Sequence, residues 1–263
     1  MANKPIGVFD SGLGGLTVAD AIRKRHPDKK IIYFGDTARI PYGTKSKEVI
    51  TKYALQDCRF LLSKGVGAII AACGTVSANA VDVLKRTFDV PIEGVVEGAA
   101  RKAAAYASGG NGTVGVLGTG LTVKSGAYER EIKKIDGSIR VISVACPMFV
   151  PLVENGYADS DAARLIAHDY LDGLAKEKPD CVILGCTHYP ILKKVIGEVF
   201  ESSELISAGS CAVEGFDTLF SRSECGESEF YVSDDPASFT SNAVTFLGGE
   251  ITGRVMVADI EKY

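Results

Sequence analysis

The chain predicts an α/β fold of two pseudo-symmetric domains, each a mainly parallel sheet flanked by helices, with its site in the cleft between them. Three observations predict this. Apolar strand-like runs alternate with helical stretches of about 10–15 residues, the spacing of parallel βαβ units. The alternation restarts near residue 109. Two segments are near copies, Ala68-Ile69-Ile70-Ala71-Ala72-Cys73-Gly74-Thr75 and Cys181-Val182-Ile183-Leu184-Gly185-Cys186-Thr187-His188. Each is an apolar run that ends in small residues, a cysteine and a threonine, as a buried parallel strand would.

The elements follow in order. Ile6-Gly7-Val8-Phe9 is the first strand and residues 12–25 the first helix. Lys30-Ile31-Ile32-Tyr33-Phe34 is the second strand. The loop after it, from Gly35 to Gly43, is long for a βα connection and is therefore a candidate for function. Residues 47–64 form the next helix, residues 67–72 the third strand and residues 77–87 its helix. Residues 91–95 and 97–107 complete a fourth strand–helix pair. Gly109-Gly110-Asn111-Gly112 is a breaker.

After the breaker, residues 113–123 echo residues 6–13 at an offset of 108, and residues 140–144 echo residues 30–34. Cys186 follows Cys73 at an offset of 113. Three matched elements in the same order read as two repeated units whose like faces close over one site. The division is residues 1–97 plus 209–263, carrying Cys73, and residues 98–208, carrying Cys186. The tail after Ser210 returns to the first unit.

A formal net charge of −4 gives no electrostatic support for nucleic-acid binding. No apolar stretch approaches the roughly 20 residues that span a bilayer. Residues 1–5 lack the apolar core of a signal peptide, so a cytoplasmic chain is expected. Seven cysteines, an odd number without Cys-x-x-Cys spacing, argue against a disulfide framework or a zinc ribbon. Three histidines make a histidine-rich metal site a poor fit, so no metal is expected.

Chemistry concentrates at strand ends, where open α/β sheets place their ligands. Cys73 and Cys186 both end strands ahead of polar residues at helix starts, a setting that favours a thiolate. Cys58, Cys146, Cys181, Cys211 and Cys225 read as small buried hydrophobes or inert thiols. Asp10-Ser11-Gly12-Leu13-Gly14-Gly15 brings backbone close to a ligand, and Asp10 serves either as a cap or to orient a base. Gly115-Val116-Leu117-Gly118-Thr119-Gly120 looks like a nucleotide loop but reads as a tight βα turn. His188 is either a core histidine or a base for Cys186, and Glu154 is a candidate to hold it. Two facing thiols without a metal can remove a proton from one face of a carbon and return one to the other, which inverts a stereocentre. The two sulfurs must then hold opposite protonation states.

At this point the residues match a family. The chain resembles glutamate racemase, of the cofactor-independent aspartate/glutamate racemase superfamily, over essentially its whole length. The resemblance rests on residues 7–18, on Tyr33-Phe34-Gly35-Asp36-Thr37, on Pro41-Tyr42-Gly43, on Ala72-Cys73 with Thr75, and on Gly185-Cys186-Thr187-His188-Tyr189-Pro190. It implies interconversion of L- and D-glutamate supplying D-glutamate for peptidoglycan, no cofactor, and a homodimer. It implies that Cys73 acts on D-glutamate with help from Asp10, and Cys186 on L-glutamate with help from His188 and Glu154. It implies substrate contacts from Asp10, Ser11, Asp36, Pro41, Tyr42, Gly43, Gly74, Thr75, Thr187 and His188.

One position departs. The family has Cys-Asn-Thr where this chain has Cys73-Gly74-Thr75. Glycine is expected to enlarge the pocket slightly and to lose an amide contact worth about 1.5–3 kcal/mol to a charged group, shifting affinity or substrate choice. A racemase for aspartate or another amino acid, and a binding protein without turnover, are the competing readings.

Overall fold

The computed structural model describes residues 4–251 and 254–263. The first three residues of the amino-terminal segment read above lie outside the described residues. Among the described residues ten strands form two parallel sheets. In the first, β1 (Ile6–Asp10), β2 (Ile31–Gly35), β3 (Ala68–Ala71), β4 (Ile92–Gly94), β9 (Glu229–Val232) and β10 (Val255–Val257) run in the order β10-β9-β2-β1-β3-β4. In the second, β5 (Thr113–Gly118), β6 (Arg140–Ala145), β7 (Cys181–Leu184) and β8 (Glu204–Ser207) run in the order β6-β5-β7-β8. The order β2-β1-β3-β4 and the order β6-β5-β7-β8 are the same topology.

The strand sequences explain their places. Ile6-Gly7-Val8-Phe9-Asp10 is buried along its whole length, as a central parallel strand covered on both faces must be. Arg140-Val141-Ile142-Ser143-Val144-Ala145 has only exposed and half-buried positions, which suits β6 to a sheet edge. Helices cover the faces. In the first unit they are α1 (Leu16–Arg25), α2 (Lys47–Ser63), α3 (Gly74–Asn79) and α4 (Val81–Thr87), while α5 (Val96–Ala107) packs on the second sheet. Around the second sheet lie α6 (Gly120–Ser125), α7 (Ala127–Ile135), α8 (Phe149–Glu154), α9 (Asp161–Ala175) and α10 (Lys193–Val199). The tail adds α11 (Ala208–Gly215), α12 (Asp217–Phe220) and α13 (Pro236–Leu247).

Helix starts are written in side chains. Ser46 accepts from Val49 N–H ahead of α2, Ser160 from Ala163 N–H at 3.1 Å ahead of α9, and Asp235 from Ser238 N–H at 3.0 Å ahead of α13. The buried alanines of α5, Ala99, Ala100, Ala103, Ala104 and Ala107, let it press between α7, α11 and the second sheet. One apolar core runs from Val8 and Ile70 of the first sheet through α5 to Val116 and Ile183 of the second.

Two readings are corrected. The helix expected at 77–87 begins earlier, at Gly74, and breaks at Ala80, whose φ of −123° leaves the helical basin. Ser77 ties this bend to the sheet by donating to Ala71 O at 2.8 Å and accepting from Val95 N–H at 3.1 Å. The helix expected from Gly12 starts at Leu16, because residues 11–15 turn instead. Among the described residues no helix is long and apolar enough to cross a membrane.

Candidate active site

The carboxyl ends of the strands from both sheets converge on one cavity of about 460 Å³. From the first unit come Ser11 after β1, Tyr42 and Gly43 from the loop after β2, and Cys73, Gly74 and Thr75 after β3. From the second come Thr119 after β5, Cys146 after β6, Glu154 at the end of α8, and Cys186, Thr187 and His188 after β7. Pro41 also lines it, beside a cis Ile40–Pro41 peptide. A second cavity, of about 440 Å³, lies by Arg23, His26 and Ile31 at the amino ends of the first sheet's strands and holds none of the expected site residues.

Cys73 caps α3 and is buried; its S–H lies 3.9 Å from Ser11 Oγ. Burial first and the Asp10 carboxylate second push its thiol up to about 12. This corrects the expectation of a thiol lowered by a helix start. The Val76 N–H does favour the thiolate, but desolvation outweighs one short helix.

Asp10 is fully buried behind the cavity wall. Its Oδ2 accepts from Gly12 N–H at 3.0 Å, and Thr187 Oγ1 donates to its Oδ1 at 3.4 Å. Burial raises its carboxyl, opposed by His188 and by the backbone N–H groups of Gly12, Gly15 and Ser11. Thr187 thus ties the carboxylate of one half to the cysteine loop of the other.

Cys186 sits in a different setting. Its Sγ lies 3.9 Å from His188 Nδ1, and His188 Nε2 lies 2.9 Å from Glu154 Oε1. Burial alone would lower the imidazole. The bonds to Cys186 and Glu154, with the charges of Cys186 and Asp10, outweigh it and push His188 up to about 10. These neighbours favour the charged imidazolium beside the Cys186 sulfur. A 3-10 turn, Tyr189–Leu192, follows the loop in place of the expected α-helix start.

Asp36 is not brought to the cavity. It is fully buried and occupied within the first unit. Arg39 Nε donates to it at 2.6 Å, Ser233 Oγ at 2.9 Å, and the Tyr42 hydroxyl donates to the same carboxylate. Arg39 also reaches Asp57 at 3.0 Å and Gln56 at 2.6 Å. This network clamps the loop 36–44 onto α2, so Asp36 stands behind Tyr42 instead of facing the cavity.

Thr119 and Cys146 are among the lining residues that sequence reading did not assign to the site. Thr119 accepts a helix-capping bond from Thr122 N–H and lies 3.1 Å, hydroxyl to hydroxyl, from Thr75 of the other half. The signal was present: at the 108-residue offset Thr119 is the counterpart of Ser11. Cys146, read as inert, is a wall of the cavity, its thiol pushed up to about 12 by burial and then by Cys186. Its strand end resembles neither cysteine motif, although Cys146-Pro147 does resemble a segment of the same family.

Comparison with known proteins gives a consistent picture. The sequence pattern of the Asp/Glu/Hydantoin racemase family matches residues 17–215. The chain is 46% identical to a glutamate racemase of Geobacter metallireducens over 98% of this chain and 97% of that one. A crystal structure of glutamate racemase from Francisella tularensis in complex with D-glutamate superposes with a TM-score of 0.91, at 36% identity and with all of both chains covered. One from Thermus thermophilus in complex with β-chloro-D-alanine superposes with a TM-score of 0.87, at 38% identity over 99% of each chain.

Proposed function

We propose how this chain, which belongs to the glutamate racemases of the Asp/Glu/hydantoin racemase family, performs its reaction: Cys73 and Cys186 pass the α-proton of glutamate between them. The enzyme is an isomerase. The observation that carries the mechanism is that the two equivalent strand-end thiols, one from each half, reach a single cavity, and each has its own ionisable neighbour.

In the L-to-D direction the Cys186 thiolate takes the α-proton, and the electron pair left on carbon is delocalised into the α-carboxylate. The Cys73 thiol then delivers its proton to the other face. After one turnover Cys186 holds the proton and Cys73 is the thiolate, which is the starting state for D-glutamate. His188 and Asp10 carry the protons that reset the pair. His188, held by Glu154, offers a cation to the anionic Cys186. The Asp10 carboxylate keeps the proton on Cys73 until carbon takes it.

An α-proton beside a carboxylate is a weak acid, so the carbanion needs donors already in place. The hydroxyls of Ser11, Thr75, Thr119 and Thr187 and the N–H groups after Cys73 and Cys186 suit the two carboxylates of glutamate. Tyr42 and Gly43 close the cavity from the side. We take residues 1–97 plus 209–263 and residues 98–208 as the two domains. The chain works in the cytoplasm as a homodimer and supplies D-glutamate for peptidoglycan.

The test is incubation with D-glutamate in D2O without added cofactor, following optical rotation and α-deuterium. L-glutamate carrying α-deuterium is the expected product. Absence of both inversion and exchange with glutamate, together with turnover of D-aspartate, would move the substrate to aspartate.

A further inference from the structure

The seam between the halves is built where the chain has no side chain. A Cβ on Gly14 would stand 2.2 Å from Thr187 Oγ1, and one on Gly43 would stand 2.8 Å from Thr119 Cβ. Those obstacles are side-chain atoms. At Gly74 the obstacle is backbone: a Cβ there would stand 2.0 Å from the Gly185 carbonyl oxygen and 3.1 Å from its carbon. That geometry puts the Gly74 Cα close against the oxygen.

Gly185 has no room to retreat. Its N–H is bonded to Leu117 O at 2.8 Å. A Cβ on Gly185 would itself meet that carbonyl at 2.7 Å and Tyr128 Cε2 at 3.0 Å. Tyr128 is buried, and among the described residues its hydroxyl meets no hydrogen-bond partner, so the ring is packed behind Gly185. Gly74 follows Cys73 and begins α3; Gly185 precedes Cys186. The contact thus joins the residues next to the two thiols.

We infer that Gly74 is a positioning residue, and that its contact with the Gly185 carbonyl, backed by Tyr128, sets the separation of Cys73 and Cys186 across the substrate's α-carbon. The inference rests on the two-thiol reading above. It reverses the sequence expectation at this position: glycine does not open the pocket, it lets two backbones close.

A misplacement of about 1 Å can cost about 10²-fold in rate. Gly74→Ala adds the smallest wedge and improves helix propensity, so it is expected to fold, to lose about 10²-fold in kcat and to hold KM within about threefold. Gly74→Asn is expected to lose at least as much. Tyr128→Leu, which lines no part of the cavity, is expected to lose about tenfold in kcat with KM unchanged. The measurements are kcat and KM by circular dichroism with D-glutamate, with melting temperature as the fold control.

Wild-type kcat in Gly74→Ala, or in Tyr128→Leu if the first variant does not fold, overturns the inference. So does a Gly74→Asn enzyme with a lower KM and undiminished kcat, which would make glycine a lost substrate contact. A wild-type protein that neither inverts nor exchanges glutamate overturns the racemase mechanism instead, which separates the two failures.

Discussion

The two cysteine loops have the same scaffold and different chemistry. Cys73 and Cys186 stand at equivalent strand ends, 113 residues apart. At the same offset the counterpart of His188 is Thr75, and at the 108-residue offset the counterpart of Asp10 is Gly118. Each thiol therefore has one ionisable neighbour, but from a different place. Cys73 looks to a carboxylate at the end of the neighbouring strand β1; Cys186 looks to an imidazole two residues along its own loop. A carboxylate holds a proton on sulfur, and an imidazolium favours an anion beside it. The repeat supplies two equivalent thiols, and in the proposed mechanism the unmatched neighbours give them opposite tasks at one pH.

The largest break in this comparison is removal of either sulfur. Cys73→Ala and Cys186→Ala are each expected to lose at least about 10³-fold in racemisation, with the fold intact by melting temperature. The enantiomers are equal in free energy, so kcat/KM must fall equally in both directions for either variant. The asymmetry between the halves has to be sought in α-deuterium exchange. Near wild-type racemisation by either variant would end the two-thiol mechanism.

Asp10→Asn sharpens the comparison next. The Asp10 charge raises the Cys73 thiol, so its loss is expected to lower that thiol from about 12. The pH profile of Cys73 alkylation should move to lower pH, with about 10²-fold less turnover. A profile that stays in place would show that burial alone sets this thiol.

Glu154→Gln acts on the other half. The bond from Glu154 is one of the contributions that hold His188 at about 10. Turnover that depends on imidazolium is present below that pH and is lost as pH rises through it. With the bond weakened His188 falls, and the alkaline limb of the kcat profile should move down in pH with a loss of about tenfold. The acid limb should not move.

The smallest effect is expected across the seam. Thr119→Val removes the hydroxyl that meets Thr75 at 3.1 Å. A neutral hydrogen bond contributes about 0.5–1.5 kcal/mol, or about 2–10-fold, and it is expected in KM for glutamate with little change in kcat. An effect confined to kcat would make Thr119 part of the proton-transfer geometry instead.

Much of this was open to reading in one dimension. Period and spacing placed the strands, because a strand buried on both faces must be apolar throughout, as in Ile6 to Phe9 and Cys181 to Leu184. The internal echo predicted two units, and the two sheets share the order that such an echo requires. Strand ends marked Cys73, Cys186, Ser11 and His188 as candidates, and all four line one cavity.

What local pattern could not supply depends on residues far apart in the chain. Asp36 belongs to the loop after β2 by sequence, yet Arg39, Ser233 and Tyr42 turn it into a brace, and Ser233 is 197 residues away. Cys73 sits at a helix start, yet the depth of burial and the nearness of Asp10 raise its thiol, and neither is visible in its neighbours. Gly74 reads in sequence only as a missing amide, and the approach of the Gly185 carbonyl to it depends on a distant segment. Hydrophobic periodicity is a property of a few consecutive residues and survives in sequence. Desolvation, charge pairing and backbone approach are set by which segments the fold brings together.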